Sequence, residues 1–312
     1  MSNIIITGPN GFVGSNLVDY FSAKHVLSGI SRAGSSHEKL VSTSWNELNV
    51  GALKNADVII HLAGKAHDLQ KTANDEEYFH VNYGKTKQLF DLFLASDCKD
   101  FIYISSVKAV ADGVDGILKE DAIPAPKTPY GQSKLQAEEY LLSQTLPVNK
   151  RLFILRPCMI HGPGNKGNLN LLYNVVKKGI PYPLGAFKNT RSFLSIANLL
   201  YVFERLIGDA SIPGGIYNVA DDIPLPTTEV INTIAQVSGL KPKIWNIPQG
   251  FIVNLAKLGS VLHLPLNTER LKKLTESYVV SNEKIKIALA IKHFPVSSKE
   301  GLAQTIKSFH SK

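Results

Sequence analysis

Short β-branched and aromatic runs alternate with helically spaced apolar positions through the first half of the chain. "NIIITG" (3–8), "HVLSGIS" (25–31), "ADVIIHLAG" (56–64), "DFIYISS" (100–106) and "LFILRP" (152–157) read as buried strands. Between them, apolar residues recur at helical spacing over 15–24, 81–96 and 130–143. Strand followed by helix, repeated, predicts a parallel sheet covered on both faces, and right-handed crossovers make it doubly wound. Past Gly164 the alternation loosens, although "GGIYNVAD" (214–221) is expected to return to the main sheet. The expected fold is α/β, with a larger domain over 1–165 plus about 195–222 and a smaller C-terminal substrate lobe from 166–194 and 223–312. No internal repeat or low-complexity linker separates the two, so they should be interleaved.

Composition narrows the classes. With 312 residues, 44% of them apolar, the chain can bury a sizeable core. Its two cysteines, Cys98 and Cys158, offer neither a disulfide framework nor zinc spacing, and they read as buried thiols of a reducing compartment. No metal site is expected. Met1 to Ile6 lead straight into the first strand with no basic leader, so a cytoplasmic location is expected. The most apolar stretch, "GFIVNLAKLGSVLHLPL" (250–266), is interrupted by Asn254, Lys257 and His263; it predicts a packed amphipathic helix and no membrane span, with contact at a membrane surface the lesser reading. A formal net charge of +8 welcomes anions. The lysines are dispersed and lack the interleaved aromatics of a strand-binding groove, which favours small phosphorylated ligands over nucleic acid.

The loop "TGPNGFVG" (7–14) places Gly8, Gly11 and Gly14 between the first strand and the first helix. There Gly8 permits the turn, Gly11 lets backbone approach phosphates, and Gly14 lets helix and strand pack closely. The unpaired N–H groups and positive dipole of the helix N-terminus would then hold a dinucleotide diphosphate. At the end of the second strand, where an acidic residue would bond ribose hydroxyls, the chain has Ser31 and Arg32. A guanidinium there accommodates a 2′-phosphate, so NADP(H) is favoured and NAD is the alternative; a solvated surface arginine would look the same.

The chemistry is expected in "DFIYISSVKAV" and "TPYGQSK". Thr128 reads as an N-cap and Pro129 as the first helical residue, so Tyr130 and Lys134 share a helix face at i and i+4. An ammonium beside a phenol favours the phenolate and should lower its pKa, giving an acid/base for a sugar hydroxyl or ketone. Ser106, at a strand end, could bond the same oxygen. A surface tyrosine above a solvated lysine would share that spacing.

The glycine loop, strand-end serines and Tyr-x-x-x-Lys, in this order, resemble the extended branch of the short-chain dehydrogenase/reductase superfamily, the NAD(P)-dependent sugar-nucleotide epimerases and dehydratases built on a Rossmann sheet. "ADVIIHLAG" looks like that branch's Asp-x-x-x-His-x-Ala segment and "VNYGKT" like its Asn-x-x-x-Thr; "LRPCMIHGPG", "RSFLSIANL" and "YNVADDIPLPTTEVI" follow in the expected order. The resemblance implies that Tyr130 is the acid/base, that Lys134 holds the nicotinamide ribose, and that Ser106 orients the reacting oxygen. Gly8, Gly11, Phe12, Val13, Gly14, Ser31 and Arg32 would contact the cofactor, with Leu62, Ala63 and Gly64 along its diphosphate and ribose. Asn82 would support the site from below, and Pro157 would lie near the nicotinamide. Asn168 and Arg191 look like contacts to a substrate's nucleotide diphosphate, although Asn82 and Asn168 could simply cap loops and Arg191 could pair with a carboxylate. Lys65, His67 and Lys108 fall near the expected crevice without a motif behind them, and His161, Asp221 and Asp222 read as structural.

Departures limit the reaction. Met159 stands where many relatives carry asparagine, Asn198 replaces a usual aspartate, and no acid follows Ser106 directly, which disfavours a 4,6-dehydratase. What the resemblance implies is a nucleotide-sugar C4 oxidoreductase, either a UDP-sugar 4-epimerase or an NADPH-dependent UDP-4-keto-sugar reductase of polysaccharide assembly. A protein of another class, one that kept the fold as a non-catalytic NADP sensor or RNA-associated protein, rests only on the basic charge. Apolar positions Leu89, Phe90 and Phe93 on one helix and Leu135, Tyr140 and Leu141 on another exceed one core contact, and the family's habit of pairing these helices implies a homodimer.

Overall fold

The computed structural model describes residues 1–32, 39–65, 74–165, 167–262 and 267–310. The chain begins β1 (Asn3–Thr7), α1 (Phe12–Phe21), β2 (Val26–Ser31), β3 (Val41–Ser44) and β4 (Val58–His61). It continues α2 (Asp75–Tyr78), α3 (Lys85–Leu94), β5 (Asp100–Ile104), β6 (Ile117–Leu118), α4 (Pro129–Ser143), β7 (Arg151–Pro157), β8 (Met159–His161) and α5 (Asn168–Lys177). Then come β9 (Thr190–Arg191), β10 (Phe193–Ser195), α6 (Ile196–Gly208), β11 (Gly215–Val219), β12 (Leu225–Pro226) and α7 (Thr227–Val237). Last are α8 (Gln249–Val261), α9 (Thr268–Thr275), β13 (Val279–Val280), α10 (Glu283–Ala288) and α11 (Ser298–His310).

Seven parallel strands form the central sheet in the order β11-β7-β5-β4-β1-β2-β3. β1 lies between β2 and β4, so the winding direction reverses beside it, and the crevice outside the strand C-termini at such a switch point is where ligands bind in these sheets. Every residue of β4 and β5 is buried, as expected of strands covered on both faces. On one face Leu17, Val18 and Phe21 of α1 pack with Leu199, Phe203 and Leu206 of α6. On the other, α3 and α4 supply Leu89, Phe90, Phe93, Ala137 and Leu141.

Four features depart from the sequence expectation. Edge strand β3, "VSTS", is too short and polar to show in the pattern and is held by its ladder to β2. The helix expected over 81–96 is instead a π-helical stretch, Phe79–Gly84, running into α3. Of the six apolar positions on these two helices, Leu89, Phe90, Phe93 and Leu141 are fully buried in the chain's own core, while Leu135 and Tyr140 are half-buried. Finally, Val280, Ile285, Leu289 and Phe294, assigned above to the smaller lobe, pack into the larger core. The smaller core joins α5, α7 and α11 through Leu169, Tyr173, Ile231, Ile234, Leu302 and Ile306.

Candidate active site

The glycine loop turns directly off β1. Gly8 has φ +68°, the left-handed region that favours glycine, and its N–H donates to Ile30 O at 3.0 Å. A Cβ on Gly14 would lie 2.2 Å from Gly8 O, so only glycine lets α1 sit this close to the loop. Gly11 is the N-cap of α1, with no side-chain cap and no acid in the first turn. The N–H groups there are left for an external anion. Phe12 packs near Gly162 and Gly164, Asn16 Nδ2 donates to Pro163 O at 3.0 Å, and Val13 lies against the larger core. Ser31 ends β2 opposite Ser44, and the exposed Arg32 follows it.

Beneath the loop runs a buried relay that the sequence reading did not single out. Leu62 and Ala63 N–H both donate to Thr7 Oγ1, at 3.1 and 2.8 Å. Thr7 Oγ1 lies 2.7 Å from His61 Nδ1, His61 Nε2 lies 2.8 Å from Thr86 Oγ1, and Thr86 donates to Asn82 O at 2.6 Å. Because Thr86 gives its proton to a carbonyl, Nε2–H must donate to it; Nδ1 is then the acceptor from Thr7. Burial, and secondarily Lys134, hold His61 down at about 3. The unfolded imidazole therefore binds its proton first as pH falls, so stability is constant above about 6.5 and declines from there towards 3. Between pH 7 and 4.5 this site should cost about 2–3 kcal/mol, and urea unfolding of wild type and His61→Gln should show that extra pH-dependent loss in wild type alone.

Asn82, fully buried in the π-helical stretch, accepts from Lys65 N at 2.7 Å and donates to Lys65 O and to Ser133 Oγ at 3.2 and 3.0 Å. Its Oδ1 and the Lys134 Nζ crowd the open face of Gly64, at 3.0 and 3.3 Å from where a Cβ would stand. Lys134 Nζ donates to Ile104 O at 2.8 Å and lies 4.8 Å from the centre of the Tyr103 ring. Burial brings this ammonium down to about 8, against an opposing pull from Glu138.

Tyr130 sits on the first turn of α4, capped by Thr128 Oγ1 accepting from Gly131 N at 3.2 Å. Its ring meets Tyr78 edge-on, with centroids 6.3 Å apart. Ser106 caps the turn after β5, accepting from Lys108 N at 3.1 Å, and its hydroxyl favours ionisation of the Tyr130 phenol. The expected lowering of the Tyr130 pKa is not found. Burial raises it, the Ser106 hydrogen bond pulls only partly the other way, and Lys134 is engaged with the Ile104 carbonyl. One turn past Lys134, the buried Glu138 pairs with Arg156 (Nη2 to Oε2, 2.6 Å) and accepts from Ser105 Oγ. Tyr130, Lys134 and Glu138 thus form a stripe at i, i+4 and i+8, of which the third member was missed.

The remaining candidates scatter around this centre. Pro157 is buried at the end of β7, pairing with Val219, and Leu62 packs against the core. Asn168 is exposed at the first position of α5. Among the described residues Arg191 has no carboxylate partner: it donates to the carbonyls of Glu276 and Lys273 at the end of α9. Lys108 donates to Asp112 O and covers the Tyr278 ring, while Lys65 pairs with Glu77. His67 lies outside the described residues. His161 is buried against Thr305, and Asp221 accepts from Ser195 N and Asn198 Nδ2. Asn198 also accepts from Val296 N and donates to Val296 O, which explains the departure from aspartate: a second carboxylate would face Asp221.

A switch-point sheet, an acid-free helix N-terminus after β1 and a serine-tyrosine-lysine set across β5 and α4 define a dinucleotide-binding fold of the short-chain dehydrogenase kind. The NAD dependent epimerase/dehydratase family model matches residues 4–220, and the chain belongs to that family. It is 32% identical over 263 residues to a UDP-glucose 4-epimerase of Vibrio cholerae, covering 79% of this chain and 78% of that one. It is 26% identical over 260 residues to a GDP-6-deoxy-D-mannose reductase of Pseudomonas aeruginosa, covering 78% and 83%. In fold it is similar to the solved structure of MoeE5 in complex with UDP-glucuronic acid and NAD, with TM-score 0.77, 21% identity and 99% of each chain covered.

Proposed function

We propose that this protein is a UDP-sugar 4-epimerase. The observation that carries the reading is the Tyr130 phenol under the influence of the Ser106 hydroxyl, with Lys134 one turn on and against Gly64. The glycine cradle fits a nicotinamide dinucleotide, because Gly14 leaves the α1 N-terminus open and no acidic side chain competes there. Gly8, Gly11, Phe12, Val13 and Gly14 would hold its diphosphate, Ser31 and Arg32 its adenosine ribose, and Leu62 to Gly64, Asn82 and Pro157 its remainder. That cofactor, when bound, supplies the hydride acceptor and donor for C4 and, oxidised, a positive charge that favours the Tyr130 phenolate. Tyr130 Oη takes the proton from the C4 hydroxyl and returns it, Ser106 orients that oxygen, and Lys134 binds ribose hydroxyls and steadies the phenolate. Asn168 and Arg191 take the sugar's diphosphate, and the homodimer expected from the resemblance is part of this proposal.

Arg32 favours a second reading, an NADPH-dependent reductase of a UDP-4-keto-sugar, since a guanidinium at that position suits a 2′-phosphate. Denaturing the purified protein, identifying the nicotinamide released and offering UDP-sugars without added cofactor separates the two. NAD in the supernatant with C4 epimer formed is the expected result. Product only with NADPH consumption replaces it with the reductase, and neither nicotinamide nor turnover removes both.

A further inference from the structure

Among the described residues no helix is long and apolar enough to cross a membrane. α8 nevertheless carries apolar side chains on two faces. Ile252, Ala256 and Gly259 face inward on a small cluster with Leu184 and Leu271. Phe251, Leu255, Leu258 and Leu262, which fall within an arc of about 60° at helical spacing, face outward and are 42 to 63% exposed. Trp245, just before the helix, is 56% exposed. Apolar side chains of this size, lined up rather than scattered, mark an interaction surface.

The charge around the stripe says which kind. Residues 240–275 contain Lys241, Lys243, Lys257, Arg270, Lys272 and Lys273 against a single carboxylate, Glu269, itself paired with Lys273 at 2.6 Å. All six cations are exposed. Lysine is depleted at protein–protein interfaces, whereas five of these six cations are lysines; an aromatic and leucine ridge fringed by cations fits an interface that is oily inside and negative at its surface. We propose that α8, with the basic residues before and after it, docks this protein peripherally on an anionic lipid bilayer. Arg191 is bonded to the end of α9, so the docking surface adjoins the substrate side proposed above, but the docking claim does not depend on that reading.

The test is flotation of the full chain with vesicles of phosphatidylcholine alone or with about 30% phosphatidylglycerol. Binding to the anionic vesicles is expected, with a marked loss at about 0.5 M salt. The exposed triple variant Phe251→Ser, Leu255→Ser, Leu258→Ser should float about tenfold less while keeping its thermal midpoint and bound nicotinamide. Three outcomes overturn the proposal: no flotation with anionic vesicles, equal flotation with neutral ones, or a triple variant that floats as wild type. A halved mass of that variant in light scattering also overturns it, by showing that the stripe joins two copies.

Discussion

On the function proposed above, replacing Tyr130 with Phe will lower kcat by about 10²–10⁴-fold and leave the binding of nicotinamide cofactor and sugar nucleotide in place. The ring will still pack against Tyr78, so the loss reports the oxygen alone. The pH profile tests the same assignment. Burial holds the phenol above its ordinary value, so the protein at neutral pH presents a proton donor, and the base form must be drawn out by positive charge nearby. Ser106→Ala removes the contact that lowers the Tyr130 pKa, so the alkaline rise of the proton-abstracting step should move to higher pH. An unchanged kcat in Tyr130→Phe would take the acid/base role from this residue, whatever the family.

The parts of this site that could be read in the sequence are those whose members are close in the chain or sit on a repeating pattern. Gly8, Gly11 and Gly14 are separated by single turns of backbone, and Tyr130 and Lys134 by one turn of helix. β1, β4, β5 and β7 were visible because a strand buried on both faces is apolar along most of its length. What stayed hidden depends on distant partners. The Thr7, His61 and Thr86 relay joins positions tens of residues apart, and Glu138 meets Arg156 from a different element. The direction of the Tyr130 shift was misjudged because spacing shows that Lys134 is near but not that Ile104 O holds its ammonium. That Arg191 bonds the carbonyls at the end of α9 could be seen only in the fold, since Lys273 and Glu276 lie more than 80 residues away in the chain. Periodicity told that α3 and α4 are richly apolar; it could not tell how much the chain's own core would use.

Glu138→Ala should destabilise the fold by about 3–5 kcal/mol, because Arg156 would keep its charge in a site only 3% exposed. Arg156 now directs both Nε and Nη2 at the carboxylate, and Ser105 donates to the same group, so one truncation leaves several donors without an acceptor. The double replacement Glu138→Leu with Arg156→Met should recover much of that loss, since buried ion pairs are costly to break but often replaceable together. Activity should not recover with stability. Glu138 is the group that raises the Lys134 pKa against burial, so without it the ammonium, already at about 8, would lose its proton at lower pH still and the alkaline limb of the rate profile would move towards neutrality in both variants. Chemical unfolding and pH–rate profiles measured side by side separate the two roles. Stability lost with an unmoved alkaline limb would make the pair a packing element only, whereas a shifted limb in the restabilised double variant would show that Glu138 sets the charge on Lys134.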